Sequence, residues 1–399
     1  MRIVLLSASY FPELTGIGPY SAELAEALSQ RGHEVRVIAS FPFYPDWIAS
    51  VPPGTRLYRT EVVNRVQVTR CRAFVPSRPT PVRRLLHELS WLVSAVPVAL
   101  ASLGWAQVWF VVTPAFGSAV IGAGLARLTG ARVHLHIQDL VPDVARESGH
   151  MGSGLFFHVA CAMGRWTYSS FHSVSVLSEA MATGVRRYAD SNALRIAVTP
   201  NWLRNRGASS APLPDALRGR PYAVYAGSSG RKQDLRLLAQ AADELAARGG
   251  PVIAVLGAGP GHEEVRGVSR HLAWLGLVDD ETYAAIVGNA LAGIVTLVPG
   301  VGDSVVPSKL ASYLAAGRPV VAAAAPGSEA ARVISEARCG FCVPPGRPDL
   351  LTAALCRIAA DPREGAALGA SGRAYALAHW DKTRVVGLLE AALSNLIAA

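Results

Sequence analysis

Residues 305–322 read VVPSKLASYLAAGRPVVA and carry, in succession, the signals for a loop, a helix and a strand. Ser308 falls at the start of the helix, apolar residues recur at helical spacing after it, and Gly317 ends it before the strand-like run 319–322. The loop brings the Ser308 hydroxyl and the Lys309 ammonium to a helix N-terminus, whose free backbone N–H groups favour an anionic ligand. A solvated lysine in an ordinary helix–strand unit is the simpler interpretation of this segment alone, so the rest of the chain has to decide between the two.

The composition is that of a well-buried globular protein with two domains. The 399 residues are 51% hydrophobic and 17% charged, and this length suits two domains of ordinary size. The net charge of +9, carried far more by arginine than by lysine, favours phosphates, nucleotides or an anionic membrane as partners. Nucleic acid is the least favoured partner, since no nucleic-acid-binding module or motif is present. No signal peptide opens the chain, and five unpatterned cysteines suit a reducing cytoplasm.

One CxxC pair, Cys339 and Cys342, has the spacing of a metal site. No second pair and no nearby histidine completes it, so no metal is predicted. Because the run CGFCV is strand-like, we interpret both cysteines as small buried apolar residues.

A long uncharged segment, residues 89–126, raises the question of a membrane. Pro97 and Gln107 interrupt it, and residues 108–112 are typical of a buried parallel strand, so a true membrane span is not predicted. The basic and apolar residues upstream, in 81–91, instead suggest a helix that lies on an anionic membrane surface. The alternative is a helix whose apolar face packs on its own sheet.

The first half opens with a strand, a glycine-rich loop and a helix. Gly16 and Gly18, with Ser21 in the third position, do not match the dinucleotide fingerprint, because the loop is too long and no acidic residue closes the second strand. The loop still exposes backbone N–H groups at a helix start, so an anionic or hydroxyl-rich ligand is expected there.

Polar residues also follow a buried strand at 131–137. His136, Gln138 and Asp139 stand at its carboxyl end, where ligands bind in open parallel sheets, and Asn201 closes this half of the chain. A structural histidine is the alternative for His136.

The second half contains a fresh series of strands and helices from residue 222. The glycine-rich loop 227–232 follows its first strand and ends in two adjacent cations, which suits a diphosphate although the spacing is not that of a Walker A motif. A second glycine loop, 257–261, follows the next strand. We therefore predict an α/β protein with two doubly wound, Rossmann-like domains facing each other across a cleft: 1–203, a linker at 204–220, 221–375, and a helix at 376–399 that packs back on the first domain.

In their order and sequence, seven segments resemble a retaining glycosyltransferase of family four with the GT-B fold, and most closely its exopolysaccharide and colanic-acid branch. They are distributed over nearly the whole chain: SASYFPELTGIGPYSAELAEALSQRGHEVRVIASFPFYP, HIQDLVPDVA, VTPNWL, YAGSSGRKQDL, VLGAGPG, VPSKLASYLAAGRPVV and CGFCVPPG.

The resemblance implies that the C-terminal domain binds a nucleotide-diphosphate sugar and that the N-terminal domain binds the acceptor, with no cofactor beyond the donor. In this branch the acceptor is a glycan or a polyprenyl-diphosphate-linked sugar at the inner face of the membrane. The catalytic assignments are Lys309, Arg231, Lys232 and Asp139. The donor-binding assignments are Gly227, Ser228, Gly230, Gly257, Gly259, Ser308 and Glu329. The cleft and acceptor assignments are Gly16, Gly18, His136, Gln138 and Asn201.

The chain departs from the family in one place. Ser304 and Ser312 stand where many members carry two glutamates, and Asp303 and Glu329 are the acids that flank the segment. Asp234 also stands where a glycine is common. The resemblance implies a mechanism in which the leaving phosphate itself helps to deprotonate the attacking hydroxyl, and the clustered cations, with no nucleophile–base pair, agree with it.

Two other functions fit the same fold. A nucleotide-sugar 2-epimerase would convert the donor without an acceptor. A non-catalytic, sugar-nucleotide-binding subunit of a polysaccharide assembly complex would explain the missing glutamates.

Overall fold

The computed structural model describes the chain in eight ranges. They are residues 1–13, 16–44, 46–140, 155–189, 194–204, 209–227, 233–298 and 308–398. The chain divides into two compact units, one formed by Met1–Asn201 with Thr383–Ala399 and the other by Trp202–Lys382. Each unit is built on one sheet that is parallel or nearly so.

The first unit has an eight-stranded sheet in the order β3-β4-β2-β1-β5-β6-β7-β8. Its strands are β1 Arg2–Leu6, β2 Glu34–Ser40, β3 Tyr58–Val63, β4 Val66–Cys71, β5 Val108–Thr113, β6 Arg132–Ile137, β7 Ser173–Val176 and β8 Arg195–Val198. All neighbours pair in parallel except β3 and β4, which form an antiparallel hairpin at the edge. The central strand β5, VWFVVT, is buried throughout, as expected for a strand covered on both faces.

Helices connect these strands. They are α1 Gly18–Gln30, α2 Pro81–Ala101, α3 Phe116–Leu128, α4 Leu155–Tyr168 and α5 Glu179–Tyr188. Helix α2 packs against α3, β2 and β4, and it buries Trp91 and Ala95 completely. Among the described residues, one helix is long and apolar enough to cross a membrane, Val82–Ala101, with an 18-residue window of mean hydropathy 1.2, of which 28% is buried.

The second unit has a six-stranded, fully parallel sheet in the order β11-β10-β9-β12-β13-β14. Its strands are β9 Tyr222–Ala226, β10 Val252–Leu256, β11 Leu272–Gly276, β12 Ala292–Thr296, β13 Val320–Ala323 and β14 Gly340–Val343. Its helices are α6 Leu235–Ala247, α7 Pro260–Val265, α8 Asp280–Asn289, α9 Ser308–Ala315, α10 Glu329–Ala337, α11 Pro348–Ala360 and α12 Pro362–His379. Alternate residues of β9 enter two separate apolar clusters, with Tyr222 and Val224 in one and Ala223 and Tyr225 in the other.

Three sequence predictions change in detail. Residues 209–220, predicted to be linker, belong to the second unit, and Leu217 there is fully buried in its core because the segment covers one face of the sheet. The C-terminal helix, predicted at 376–399, begins at Lys382 instead, because Ala376 and Trp380 belong to the core of the second unit. Cys342, predicted to be buried, is exposed, whereas Cys339 is buried.

The last helix, α13 Lys382–Ala398, belongs to the first unit from Thr383 onward. Glu390 accepts hydrogen bonds from Arg31 at 2.6 Å and pairs with His33 at 2.7 Å, both at the end of α1. The apolar face of the helix buries five side chains, Val385, Val386, Leu389, Leu393 and Leu396. The chain thus returns to the first unit after completing the second.

We predict that Leu389→Ala destabilises the first unit selectively. Leu389 is 1% exposed, and truncating a leucine in a packed core costs about 2–5 kcal/mol. Hydrogen exchange followed by mass spectrometry should show faster exchange in α1 and β2 and unchanged exchange in β9–β14. Leu388→Ala is the matched control, since Leu388 is the neighbouring residue and its side chain is 43% exposed. Equal loss of protection in the second unit would contradict this assignment of α13.

Candidate functional site

Three residues predicted from separate motifs meet where β9, β10 and α9 come together. Gly227 follows β9, Gly257 follows β10, and Lys309 lies in the first turn of α9. A Cβ on Gly227 would lie 3.2 Å from Cε of Lys309, and a Cβ on Gly257 would lie 2.2 Å from the carbonyl oxygen of Gly227. The φ angle of Gly257 is +118°, so a side chain there would be strained as well as in collision. These two glycines let the lysine and both strand ends approach within van der Waals contact.

Lys309 is buried although its side chain is basic. It is 8% exposed, and its Nζ lies 3.8 Å from the centre of the Tyr225 ring. Among the described residues, no atom makes a hydrogen bond with this Nζ. Burial lowers the pKa of the Lys309 ammonium to about 7. An ammonium without hydrogen-bond acceptors in an apolar setting is costly, so the geometry favours an anionic ligand at this point.

Tyr313 fixes the position of the helix that carries the lysine. Its hydroxyl accepts a hydrogen bond from the backbone N–H of Ala226 at 2.8 Å and donates one to the carbonyl of Ile294 at 3.4 Å. Its ring covers Gly293, where a Cβ would lie 2.2 Å from ring atoms. Helix α9 is therefore locked against β9 and β12, and Lys309, one turn earlier, is held beside the carboxyl end of β9.

The chain is sparing with lysine. Of its 38 basic residues only three are lysines, Lys232, Lys309 and Lys382, and all others are arginines. An arginine stays charged when buried, whereas a lysine is a compact point charge whose pKa shifts with its surroundings. A chain that uses arginine almost everywhere has a lysine whose buried ammonium has no hydrogen-bond partner among the described residues.

Several other residues of the second unit have local roles. The carboxylate of Asp234 caps α6 by accepting a hydrogen bond from the backbone N–H of Leu237 at 3.0 Å. This cap is a structural role for the acid that stands where a glycine is common. Glu329, in the first turn of α10, is 5% exposed and is held by Arg332 through two hydrogen bonds of 2.6 and 3.0 Å. Gly259 precedes α7 with a φ of +138°, as expected for a glycine loop that opens a helix.

The remaining predictions for the donor loops lie outside the described residues. They are Ser228, Gly230, Arg231, Lys232, Asp303 and Ser304. Ser308 begins α9 and Ser312 lies within it. Among the residues that the structure describes, no three His, Cys, Asp or Glu side chains are grouped to hold a metal ion.

In the first unit, the glycine loop packs against a buried carboxylate. Gly16 has a φ of +68°, and a Cβ on Gly18, at the start of α1, would lie 3.1 Å from the Glu13 side chain. Oε1 of Glu13 accepts from the backbone N–H groups of Phe43 and Tyr44, both at 3.1 Å. Burial raises the pKa of this carboxyl group. Glu13 thus ties the β1–α1 loop to the loop after β2.

A chain of hydrogen bonds links three predicted acceptor residues at the ends of β6 and β8. Nε2 of Gln138 lies 2.7 Å from Nε2 of His136, and the side-chain amides of Gln138 and Asn201 pair reciprocally at 2.9 and 3.1 Å. Nδ1 of His136 contacts the Ser175 hydroxyl at 2.8 Å, and that hydroxyl also contacts Nε2 of His134 at 2.7 Å.

This network is neutral. Burial lowers the pKa of His136 to about 4, and burial together with the neighbouring His136 lowers that of His134 to about 3. Because an amide nitrogen only donates, Nε2 of His136 accepts from Gln138 and its proton resides on Nδ1. The histidine is a buried support for the two amides, and Asp139 follows them in the bend after β6.

The comparisons agree with this architecture. The sequence profile of the Glycosyl transferase 4-like domain matches residues 15–202, and that of Glycosyl transferases group 1 matches residues 220–361. A protein of Escherichia coli K12 named as a colanic acid biosynthesis glycosyl transferase, WcaI, is 32% identical over 342 residues, which are 79% of this chain and 82% of that one.

Two solved structures show the same fold. Sucrose-phosphate synthase from Thermosynechococcus elongatus superimposes with a TM-score of 0.76 at 18% identity, over 100% of both chains. Anabaena HepE, solved in complex with UDP-glucose, gives a TM-score of 0.68 at 14% identity, over 99% of this chain and 100% of that chain.

Two parallel α/β units of this kind define the GT-B class of glycosyltransferase, and the predicted fold class is confirmed. The chain belongs to the glycosyltransferase family that joins a glycosyl transferase 4-like domain to a group 1 domain. The resemblance to the colanic-acid branch is confirmed by the similarity to WcaI.

Sequence reasoning missed Tyr225, Glu13 and the supports of the histidine network. The signal for Tyr225 was present, since it is a large aromatic residue immediately before the strand-end Ala226-Gly227. Nothing in the sequence indicates that its ring lies under a lysine 84 positions later.

We predict that Lys309→Met stabilises the free protein. The unfolded chain binds a proton at Lys309 up to a pKa of about 10.4, but the folded chain loses it near pH 7. The wild-type protein therefore gains stability as pH rises from 7 to 10, and methionine removes a cost on the order of a few kcal/mol below pH 7. Thermal unfolding at pH 6 should show a raised Tm for the variant and at pH 10 a much smaller difference. Lys382→Met is the control; a lowered Tm for Lys309→Met at pH 6 would show that the lysine stabilises the fold.

Proposed function

We propose that the protein is a retaining glycosyltransferase that moves a sugar from a nucleotide-diphosphate sugar to a glycan or lipid-linked acceptor. The polymer would be an exopolysaccharide, a capsule or another component of the cell envelope. The observation that carries this proposal is the buried ammonium of Lys309, which lies beside two glycine-lined strand ends with no hydrogen-bond partner among the described residues. A diphosphate supplies the acceptor oxygens and the negative charge that such a group lacks.

The chemistry requires stabilisation of a departing anion. In the transfer, the bond between the anomeric carbon and the diphosphate oxygen breaks, and the acceptor oxygen bonds to that carbon. The proton of the acceptor hydroxyl passes to a phosphate oxygen of the leaving group. Lys309 and the N-terminus of α9 would stabilise the charge that develops on the diphosphate. Arg231 and Lys232 are proposed to contribute from the loop after β9.

The first unit is proposed to hold the acceptor. The reciprocal pair of Gln138 and Asn201 offers neutral donors and acceptors that suit sugar hydroxyls, and His136 would act through Gln138 rather than on the acceptor. Gly16 and Gly18 keep the start of α1 open to a ligand. Asp139 is proposed to border the transferred sugar.

The relatives support the substrate classes. WcaI carries colanic acid biosynthesis in its name, which favours an envelope polysaccharide as the product. HepE was solved with UDP-glucose, so UDP-sugars are the first donors to test. The side chain of Glu329 is committed to Arg332, and we propose that it supports α10 rather than replacing a missing glutamate.

Contact with the membrane is proposed through one face of α2. Val82, Leu86, Leu89 and Val93 lie along one exposed stripe of this helix, while Trp91 packs inward. Arg83 and Arg84 accompany the stripe, and the Arg84 guanidinium lies over the Trp47 ring. A helix that packs on its own sheet and exposes an apolar, basic face fits a membrane surface better than a span. We therefore infer a cytoplasmic protein that contacts the anionic inner face of the membrane.

The test of function is a panel of UDP-, GDP- and dTDP-sugars. One donor should raise the Tm, since a ligand that binds only the native state stabilises it. With an acceptor fraction from the producing cells, that donor should release its nucleoside diphosphate, and NMR should show retained anomeric configuration. Donor epimerised without acceptor would indicate an epimerase, inverted product would contradict the retaining mechanism, and binding without any turnover would indicate a non-catalytic subunit.

We predict that Lys309→Ala lowers kcat by about a hundredfold to a thousandfold, the loss typical of removing one donor to a developing anion. Circular dichroism and Tm should show an intact fold. The control is Lys382→Ala, which alters the other described lysine and should keep full activity. Near-normal kcat for Lys309→Ala would exclude a central role for this ammonium.

We predict that α2 mediates binding to anionic vesicles. The double variant Leu86→Glu, Val93→Glu should lose flotation with phosphatidylglycerol vesicles, and Arg83→Gln or Arg84→Gln should weaken it about fivefold each. Leu128→Glu is the control, because Leu128 is 85% exposed at the end of α3. Absence of wild-type flotation, or equal loss in the control, would contradict docking through this face.

A further inference from the structure

The Lys309 ammonium lies over an aromatic ring. Nζ lies 3.8 Å from the centre of the Tyr225 ring, close enough for a cation–π interaction. Tyr225 is fully buried on β9, so the ring cannot turn away into solvent. The lysine stem is held on a second side by Gly227, since a Cβ there would lie 3.2 Å from Cε.

We propose that Tyr225 is the positioning residue for Lys309: its ring supports the ammonium on one side and leaves the N–H bonds for oxygens of the donor's diphosphate. This inference rests on the proposed donor site. It adds a residue, Tyr225, that makes no contact with the donor itself but fixes the position and the orientation of the Lys309 ammonium.

The ring suits this task because it attracts the cation without competing for its protons. A carboxylate at the same place would form an ion pair with Lys309, and the diphosphate would have to displace it. An aromatic face offers a quadrupole and no lone pair. The N–H bonds that point away from the ring therefore stay available for an anion.

Two tyrosine phenols near the lysine are neutral. Burial raises the pKa of the Tyr225 phenol and of the Tyr313 phenol one turn along α9, so neither is an anion near pH 7. The ring of His262, on α7, lies 6.3 Å from the Tyr225 ring. Within the described part of the chain, the charge on Lys309 thus depends on burial, which opposes it, and on the Tyr225 ring, which supports it.

If Tyr225 only packed in the core, changing the electrostatics of its ring at constant shape would leave the titration of Lys309 unchanged. Position 225 can be filled with phenylalanine, 4-fluorophenylalanine, trifluorophenylalanine and pentafluorophenylalanine by nonsense suppression. The ring stays in place while its negative face weakens and then reverses. The Tyr225→Phe protein retains the ring and is the reference for the fluorinated series.

Three lysines in the chain make the readout direct. Protein labelled with ¹³C-lysine should give three Cε signals, and Lys309→Met identifies the one from Lys309. Along the fluorinated series the titration midpoint of this signal should fall step by step, because the charged form loses its support. The fall of kcat/KM for the donor with rising pH should move to lower pH in parallel.

The binding probe is inorganic pyrophosphate, which shares the diphosphate with every candidate donor. Its affinity should weaken by about tenfold between phenylalanine and pentafluorophenylalanine at position 225. Tyr222→Leu is the matched control for loss of a buried ring on the same strand, since Tyr222 enters the other apolar cluster. It should leave the Lys309 signal unchanged.

Two outcomes would overturn the proposal. A Lys309 midpoint and a pyrophosphate affinity that are flat across the fluorinated series would show that Tyr225 only fills space. An equal shift in Tyr222→Leu would show that the effect is general loosening of the unit. If Lys309→Ala is inactive while the series is flat, the donor site stands and the role of Tyr225 alone fails; if pyrophosphate never perturbs the Lys309 signal, the donor site itself is wrong.

Discussion

A buried ammonium with no hydrogen-bond acceptor among the described residues is the constraint on which the second unit depends. Desolvation disfavours the charged form of Lys309, and the fold keeps the side chain buried rather than letting it reach solvent. The two glycines at the strand ends and the tyrosine ring beneath Nζ are the features that hold it there. Stability is lost at this point in the free protein, and such losses are typical of sites built for a ligand of opposite charge.

The surroundings of Lys309 show how the fold keeps its ammonium buried despite the cost of desolvation. Tyr313 satisfies one backbone donor and one backbone acceptor between β9 and β12, so the helix that carries the lysine cannot shift to relieve the desolvation. Gly293 makes room for that tyrosine, since any side chain there would overlap the ring. The helix that carries Lys309 is therefore fixed against the sheet. The buried ammonium still has no hydrogen-bond partner among the described residues.

Much of this could be predicted from the sequence, and the part that could not has a physical reason. The alternation of apolar runs with glycine turns predicted both sheets, and local signals at 227, 257 and 309 predicted three residues that the structure brings together. Contacts between faces were not predictable: the Tyr225 ring under Lys309 and the hydroxyls of the His136 network depend on which side of a strand faces which helix. The buried Leu217 in the segment interpreted as linker was not predicted either, because the proline- and arginine-rich composition conceals the apolar residues that anchor the segment.

The candidate sites of the two units differ in charge: one contains a buried cation and the other a neutral network. In the second, one cation is kept dry and without a hydrogen-bond partner among the described residues, which suits a diphosphate whose charge increases as the sugar leaves. In the first, two histidines whose pKa values lie near 3 and 4 keep a network of amides and hydroxyls neutral. A neutral network orients hydroxyls by geometry without stabilising an alkoxide or an oxyanion. Under the proposed assignment of donor and acceptor, the described cation Lys309 belongs to the unit that would hold the leaving diphosphate.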